Sequence, residues 1–270
     1  EGRKAMSTKI GFIGCGNMAS AMISGMLDSG AAGRGDLCAS AKTLKTQEKI
    51  RDKLGINCAD NRGTAQFADV LFLAVKPQYY EEVIREIAGA VRDDEIIVTI
   101  APGKTLAWLE KTFGRSLKII RTMPNTPAMV REGMMGLCPN DRVTEEELSK
   151  VRRLCESFGK TEVISEKLMD VVTAVAGSSP AYVFLMIEAM ADGAVADGMP
   201  RDKAYRFAAQ AVLGSAKMVL ETGRHPGELK DMVCSPGGTT MEAVRVLEEK
   251  GFRSALIEAE KACVQKSREM

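Results

Sequence analysis

Histidine is almost missing from this sequence: His225 is the only one in 270 residues. The seven cysteines, Cys15, Cys38, Cys58, Cys138, Cys155, Cys234 and Cys263, form no C-x-x-C pair. With neither ligand type clustered, a zinc or iron–sulfur site is not expected. An odd number of widely spaced thiols reads instead as reduced cysteines in apolar surroundings, as in a cytosolic protein. An excess of one charge is missing too: 37 basic and 36 acidic side chains nearly cancel, and basic tracts stay short. Nucleic acid and anionic membranes are therefore not expected as main partners. No uninterrupted apolar run approaches the ~18 residues of a membrane span, so none is expected. No secretory or transit pattern is visible, which makes the cytoplasm the expected location. Glu1–Ala5, ahead of Met6, read as an expression remnant and are set aside.

What is present falls into two textures, with room for two ordinary domains. Up to about residue 164, short apolar runs alternate with helical patterns. Lys9–Ile13, Leu37–Ser40, Val70–Val75, Ile96–Ile100 and Lys118–Thr122 are the expected strands. Tyr80, Val83, Ile84 and Ile87 follow helical spacing, as do Leu148, Val151, Cys155 and Phe158 after a Thr144…Glu147 capping box. Such alternation predicts an α/β, Rossmann-type doubly wound domain over 6–164. From 165 to 270 no strand stands out. Leu168–Ala196, Arg201–Glu221, Leu229–Cys234, Thr240–Glu249 and Ser254–Glu269 read as the helices of an all-α domain.

The first motif lies at residues 9–22, K-I-G-F-I-G-C-G-N-M-A-S-A-M. A strand enters Gly14-x-Gly16-x-x-Ala19 and leaves as a helix. Gly14 permits the tight turn, Gly16 lets backbone approach a pyrophosphate, and small Ala19 lets helix and strand pack closely. The second strand ends Cys38-Ala39-Ser40-Ala41-Lys42-Thr43, without the acid that takes ribose hydroxyls in NAD-binding proteins. Hydroxyls and Lys42 attract a 2′-phosphate, so NADPH is expected over NADH, with an ordinary solvated loop as the plain alternative. Ala74-Val75-Lys76-Pro77 closes another strand and should face the cofactor, with Lys76 either on phosphate or ribose or merely at the surface. Arg121-Thr122-Met123-Pro124-Asn125-Thr126-Pro127 forms a rigid turn whose Asn125 offers an amide near the nicotinamide.

In the helical half, Pro180 within Ala176–Tyr182 must kink or unwind its helix. Small residues there, Ser178 among them, allow close approach to backbone, although a simple bend explains them equally well. His225-Pro226-Gly227 reads as an interhelix turn and not as a catalytic group. The stretch D-M-V-C-S-P-G-G-T-T-M-E-A-V, residues 231–244, stops one helix and starts another, with Thr239 and Glu242 spaced as a capping box. Ser235, Gly237, Gly238, Thr239 and Thr240 would hold a small carboxylate through N–H and hydroxyl donors at a positively polarised helix end. Cys234 beside them reads as a packing residue. Hydride transfer to a ketone calls for a positioned acid, and the kink at Gly177–Tyr182 has no lysine. A protonated imine needs only orientation and a hydrogen-bonding group such as Thr240. A β-hydroxyacid dehydrogenase, which uses a lysine beside that kink, is one alternative. A nonenzymatic NADP-sensing or lipid-interface protein, which would bind cofactor without turnover, is another.

Taken together, G-F-I-G-C-G-N-M, A-V-K-P, R-T-M-P-N-T-P, S-S-P-A-Y and D-M-V-C-S-P-G-G-T-T stand in the order of the pyrroline-5-carboxylate reductase family, which the chain resembles from Ile10 to its C-terminus. The resemblance implies NADPH-preferring, NADH-tolerant reduction of 1-pyrroline-5-carboxylate to proline. It also implies an interlocked homodimer through the helical domain, often assembled into rings of dimers. Carried over by position, Ile13, Gly14, Cys15, Gly16, Asn17, Met18, Ser40, Asn61, Ala74, Val75, Lys76 and Pro77 would contact the dinucleotide. Ser235, Pro236, Gly237, Gly238, Thr239 and Thr240 would hold the substrate, with Thr240 nearest the ring nitrogen. The pattern is broken at Ala41-Lys42, where some members have serine and proline, and at Ser179, where many have glycine.

Overall fold

The computed structural model describes residues 7–269, so the expected remnant Glu1–Ala5 lies outside the described residues. By packing, the chain divides into two units, one containing residues up to 177 together with 263–269, the other residues 178–262.

The first unit is built in chain order from β1 (Ile10–Ile13), α1 (Asn17–Asp28), β2 (Leu37–Ser40), α2 (Leu44–Glu48), β3 (Asn57–Ala59), α3 (Asn61–Phe67), β4 (Val70–Leu73), α4 (Tyr80–Ile87), β5 (Ile96–Thr99), α5 (Leu106–Phe113), β6 (Lys118–Met123), β7 (Gly133–Pro139), α6 (Glu145–Cys155), β8 (Gly159–Val163) and α7 (Met169–Val172). The strands form one sheet in the order β3-β2-β1-β4-β5-β6-β7-β8. β3 through β6 run parallel, β7 is antiparallel to β6, and β8 is parallel to β7. Five strands match the sequence reading within two residues at each end. β3, β7 and β8 were not expected. Asn57–Ala59 is a short polar edge, Gly133–Pro139 carries two glycines and no apolar alternation, and Gly159–Val163 is mostly polar. Their strand character comes from a neighbour's hydrogen-bonding groups rather than from their own side chains.

Because side chains alternate across a strand, each central strand feeds two cores. Ile10 and Phe12, Val70 and Phe72, and Ile96 and Val98 face α1 and α6, where they meet Met22, Ile23, Met26 and Val151. Phe12 and Phe72 stack there with ring centroids 4.7 Å apart. Ile13, Leu71, Leu73, Ile97 and Ile119 face the opposite way, onto Tyr80, Ile84, Ile87, Leu109 and Phe113. α4 shows why its sequence makes a helix at this place. Tyr80, Val83, Ile84 and Ile87 are buried along one stripe, while Glu81 and Arg85 pair on the solvent side. The capping box ahead of α6 also forms. The Glu147 N–H donates to Thr144 Oγ1 at 3.3 Å, and the Thr144 N–H donates to Glu147 Oε2 at 3.0 Å.

The second unit is helical: α8 (Ser179–Ala196), α9 (Arg201–Thr222), α10 (Pro226–Val233), α11 (Thr239–Glu249) and most of α12 (Phe252–Arg268). Its buried apolar side chains are small or few, namely Ala191, Ala204, Ala208 and Leu229. Phe184, Leu185, Phe207 and Leu220 are each more than 60% exposed, which is far too much apolar surface for a chain that remains single. One continuous helical stretch, Glu166–Ala196, is long and apolar enough by composition to cross a membrane, with mean hydropathy 1.5. No uninterrupted apolar run marks it, because scattered small polar residues break the run without much lowering the average.

Candidate active site

The sheet order reverses between β1 and β4, and ligands of such sheets sit in the crevice outside the carboxyl ends of the strands. The glycine turn is at that crevice. Gly14 has φ +90°, and a Cβ placed on it would come within 3.0 Å of the Ala74 carbonyl oxygen. The left-handed backbone and the close approach both require glycine. Gly16 caps the 12-residue α1 in extended conformation, with no side chain bonded to the helix end and nothing within 4 Å of where its Cβ would be. The amides at the start of α1 therefore stand open to an anion. Ala19 is buried in the same core as Ile10 and Phe12 of β1.

A cleft of about 290 Å³ opens here, lined by Gly14, Cys15, Gly16, Ser40, Lys42, Asn61, Ala74, Val75 and Lys76 among the expected residues. Ser40 holds its parts in register. Its Oγ accepts from the Gly14 N–H at 3.2 Å and donates to Asn61 Oδ1 at 2.6 Å, tying β1, β2 and α3 together. Asn61 in turn donates to Glu86 at 2.7 Å. Burial pushes the Cys15 thiol up, which keeps it protonated beside the turn. Beyond β2, Thr43 caps α2 by accepting from the Thr46 N–H at 3.2 Å, and the two hydroxyls lie 2.9 Å apart. Lys42 lies 5.2 Å from the centre of the Tyr79 ring and 3.5 Å from Glu82. Both groups are well exposed, so that ion pair holds Lys42 only weakly.

Thr46, Tyr79 and Val83 also line the cleft and were not anticipated. The Thr43-x-x-Thr46 cap was the available signal for the first. Tyr80 was anticipated only as an apolar position. Its buried hydroxyl donates to the Leu73 carbonyl and accepts from the Ile100 N–H at 3.2 Å, bracing the ends of β4 and β5 beneath the cleft. Burial raises its phenol far above the ordinary range.

The remaining expected cofactor residues lie around this lining. Ile13 is buried in the core, Pro77 starts the turn Pro77–Tyr79, and Met18 packs against the core on α1. Asn17 borders an adjoining depression with Lys45, Lys49 and Lys53. Asn125 is buried with a bond at each end of its amide: Nδ2 donates to the Ala176 carbonyl at 3.1 Å, and Oδ1 accepts from the Met134 N–H at 2.8 Å.

In the helical unit, Gly237 at φ +67° turns the chain out of α10, and the Gly238 N–H donates to the Ser235 carbonyl at 3.0 Å. Ser235, Pro236 and Thr239 are exposed, while Gly238 and Thr240 are half-buried. The expected Thr239…Glu242 capping box does not form. Gly238 takes the cap position with extended backbone, Thr239 is already helical, and Glu242 turns to Arg245 at 2.7 Å. α11 thus starts without a side-chain cap, which leaves its first amides open. His225 caps α10, its Nδ1 accepting from the Gly227 N–H at 3.0 Å, in keeping with a turn residue. Ser178 ends a π-helical turn, Thr173–Ser178, directly ahead of α8, whose second residue is Pro180.

The fold and the cleft define a dinucleotide-dependent oxidoreductase with an attached helical region, and comparison with known proteins gives its kind. Residues 166–270 match the model of the pyrroline-5-carboxylate reductase dimerisation family, and residues 9–103 match one described as NADP oxidoreductase, coenzyme F420-dependent. Pyrroline-5-carboxylate reductase of Escherichia coli (strain K12) is 53% identical over 266 residues, covering 98% of this chain and 99% of that protein. The structure of a pyrroline-5-carboxylate reductase from Coxiella burnetii superposes with TM-score 0.91 at 34% identity, covering 97% of this chain and 98% of that one. The Plasmodium falciparum pyrroline carboxylate reductase with NADP bound gives 0.88 at 31%, covering 97% of both chains. The chain belongs to the pyrroline-5-carboxylate reductase family. Its matched dimerisation region supports self-association, for which the helical unit presents open apolar faces.

Proposed function

We propose that this protein reduces 1-pyrroline-5-carboxylate to L-proline with NADPH, the last step of proline synthesis. The observation that carries the reading is the Gly14–Gly16 turn at the reversal point of the sheet, opening into a cleft whose second strand ends in hydroxyls and a lysine instead of an acid. The residues fit a dinucleotide. Gly16 leaves room for a pyrophosphate over the start of α1, and Lys42, Thr43 and Thr46 suit a 2′-phosphate. When bound, the reduced dinucleotide supplies a hydride. Residues 6–164 serve as the dinucleotide domain and 165–270 as the substrate and dimerisation domain.

The uncapped start of α11 suits a carboxylate. The amides of Thr239 and Thr240 and the hydroxyls of Ser235 and Thr239 would hold it without any basic side chain. Thr240 would then orient the ring nitrogen. An imine is basic enough to enter protonated, so the protein needs no strong general acid. The new C–H bond forms on the imine carbon, the C=N π pair withdraws onto nitrogen, and nitrogen keeps the proton it brought. Ser178, at the end of the π turn, offers a small polar surface to the substrate. Dimers formed through the helical region are read as assembling into rings in the cytoplasm, with neither nucleic acid nor membrane as a partner.

The test is to mix purified protein with the pyrroline carboxylate and NADPH. Loss of the reduced-nicotinamide absorbance with formation of proline is expected, and no turnover rejects the proposal. Thr240→Ala is expected to lower kcat by roughly 10²-fold with little change in NADPH affinity, as for loss of a group that orients the reacting atoms.

A further inference from the structure

Proline lacks an N–H, so Pro180 cannot make the α-helical hydrogen bond to the carbonyl four residues back, that of Ala176. A carbonyl withdrawn from water and left bare in this way costs as much as a lost hydrogen bond, and Ala176 is half-buried. The side-chain amide of Asn125 donates to that same carbonyl at 3.1 Å. The other end of the amide accepts from the Met134 N–H in β7 at 2.8 Å, so the ring of contacts can be satisfied in one orientation only. A second tie fixes the beginning of the same helical stretch. The carboxylate of Glu166 accepts from buried Arg121 at 3.0 Å and from the Leu106 N–H, at the start of α5, at 2.8 Å. One short segment, residues 121–125, thus grips the helix at Glu166 and again at Ala176. Between those points the helix carries its π turn, Thr173–Ser178.

We infer that Asn125 is a positioning residue for the substrate side of the reaction. Its amide replaces the donor that Pro180 lacks, and so holds the π turn in the conformation that sets Ser178. π turns are costly relative to α-helix and persist where an external contact holds them. Here one such contact is the buried side-chain amide of Asn125, on the loop after β6. The inference rests on the proposed imine reduction for its kinetic readout, but its structural claim stands apart from it.

Asn125→Asp keeps the acceptor for the Met134 N–H and removes the donor to Ala176. It is expected to lower kcat/KM for the pyrroline carboxylate by about ten- to a hundredfold, the range for leaving one carbonyl shielded from water unpaired. NADPH affinity should stay within about twofold, because both ends of the amide are bonded to Ala176 and Met134 and Asn125 does not line the cleft. Adding Pro180→Ala returns a backbone N–H four residues after Ala176. The double variant should recover most of the lost kcat/KM, and hydrogen exchange of the amides of residues 177–179, 181 and 182, accelerated in the single variant, should slow again. Additive losses in the double variant, or a fall in NADPH affinity matching the fall in kcat/KM, would overturn the inference. Should the aspartate variant not fold, the same double variant decides: regained folding supports the donor role and continued failure rejects it. Absence of turnover in the wild-type protein would reject the proposed reaction alone, leaving the exchange measurement to judge Asn125.

Discussion

Glu95→Gln removes one buried ionisable group at the opposite end of the sheet from the cleft. Glu95 immediately precedes β5 and is fully buried. Oε2 accepts from the Arg92 N–H at 3.1 Å, while Oε1 has no partner. The guanidinium of Arg92 is spent on Asp69 at 3.0 Å and Asp94 at 3.2 Å. Desolvation therefore dominates and pushes the Glu95 carboxyl from its ordinary 4.5 up to about 8. Below pH 4.5 both folded and unfolded chains hold the proton. Between 4.5 and about 8 the unfolded chain loses it and the folded chain keeps it, so stability falls as pH rises, and the penalty is complete above about 8. At about 1.4 kcal/mol per pH unit the gap has a ceiling of about 5 kcal/mol, and relaxation with water entry reduces this to about 2–3 kcal/mol. Glutamine keeps the acceptor for Arg92 and leaves its other end as unpaired as the neutral acid, so it matches wild type at low pH. Urea unfolding at fixed protein concentration should give equal midpoints at pH values below 4.5 and a more stable Glu95→Gln variant at pH 9. A stability difference that stays constant between those pH values would refute a neutral buried Glu95.

Two substitutions at the cleft address cofactor recognition. Ala41→Asp places an acid where β2 ends, so NADPH affinity should fall by about tenfold or more while NADH affinity changes little, as read by fluorescence titration; equal losses for both cofactors would mean that this edge does not meet the 2′-phosphate. Gly14→Ala forces a side chain into φ +90° against the Ala74 carbonyl and should destabilise the fold by about 1–3 kcal/mol. Gly16→Ala has open space and should leave the melting temperature unchanged while weakening NADPH binding, and a drop in both would show that its role is structural.

The parallel core strands were legible because each of β1, β4 and β5 is apolar on both faces, a pattern written in adjacent residues. The first glycine turn was legible for a similar reason: tight turn, helix start and small packing residue lie within six positions. Gly14, Ser40, Asn61 and Ala74, from four segments, then met at one cleft because the doubly wound order leaves them nowhere else to converge. β7 and β8 were not legible, since Gly133–Pro139 and Gly159–Val163 carry no alternation and owe their pairing to β6 and to each other. The capping box before α6 formed and the one before α11 did not, although both have the right spacing. At Gly238 the backbone takes the cap position one residue early, a choice made by the turn geometry of Ser235–Gly237.

Asn125 shows most clearly where sequence reading ends. Its place beside two prolines marked a rigid turn, and its amide suggested a ligand contact. Only the folded chain brings it to Ala176, some fifty positions away, where Pro180 has left a carbonyl without its donor. Local residues determine what the backbone nearby cannot do, such as donate at a proline or accept a side chain at φ +90°. Which distant group supplies the missing bond, and which apolar faces await a second copy, depends on the packed arrangement, because hydrogen bonds and buried surface act through space and take no account of chain separation.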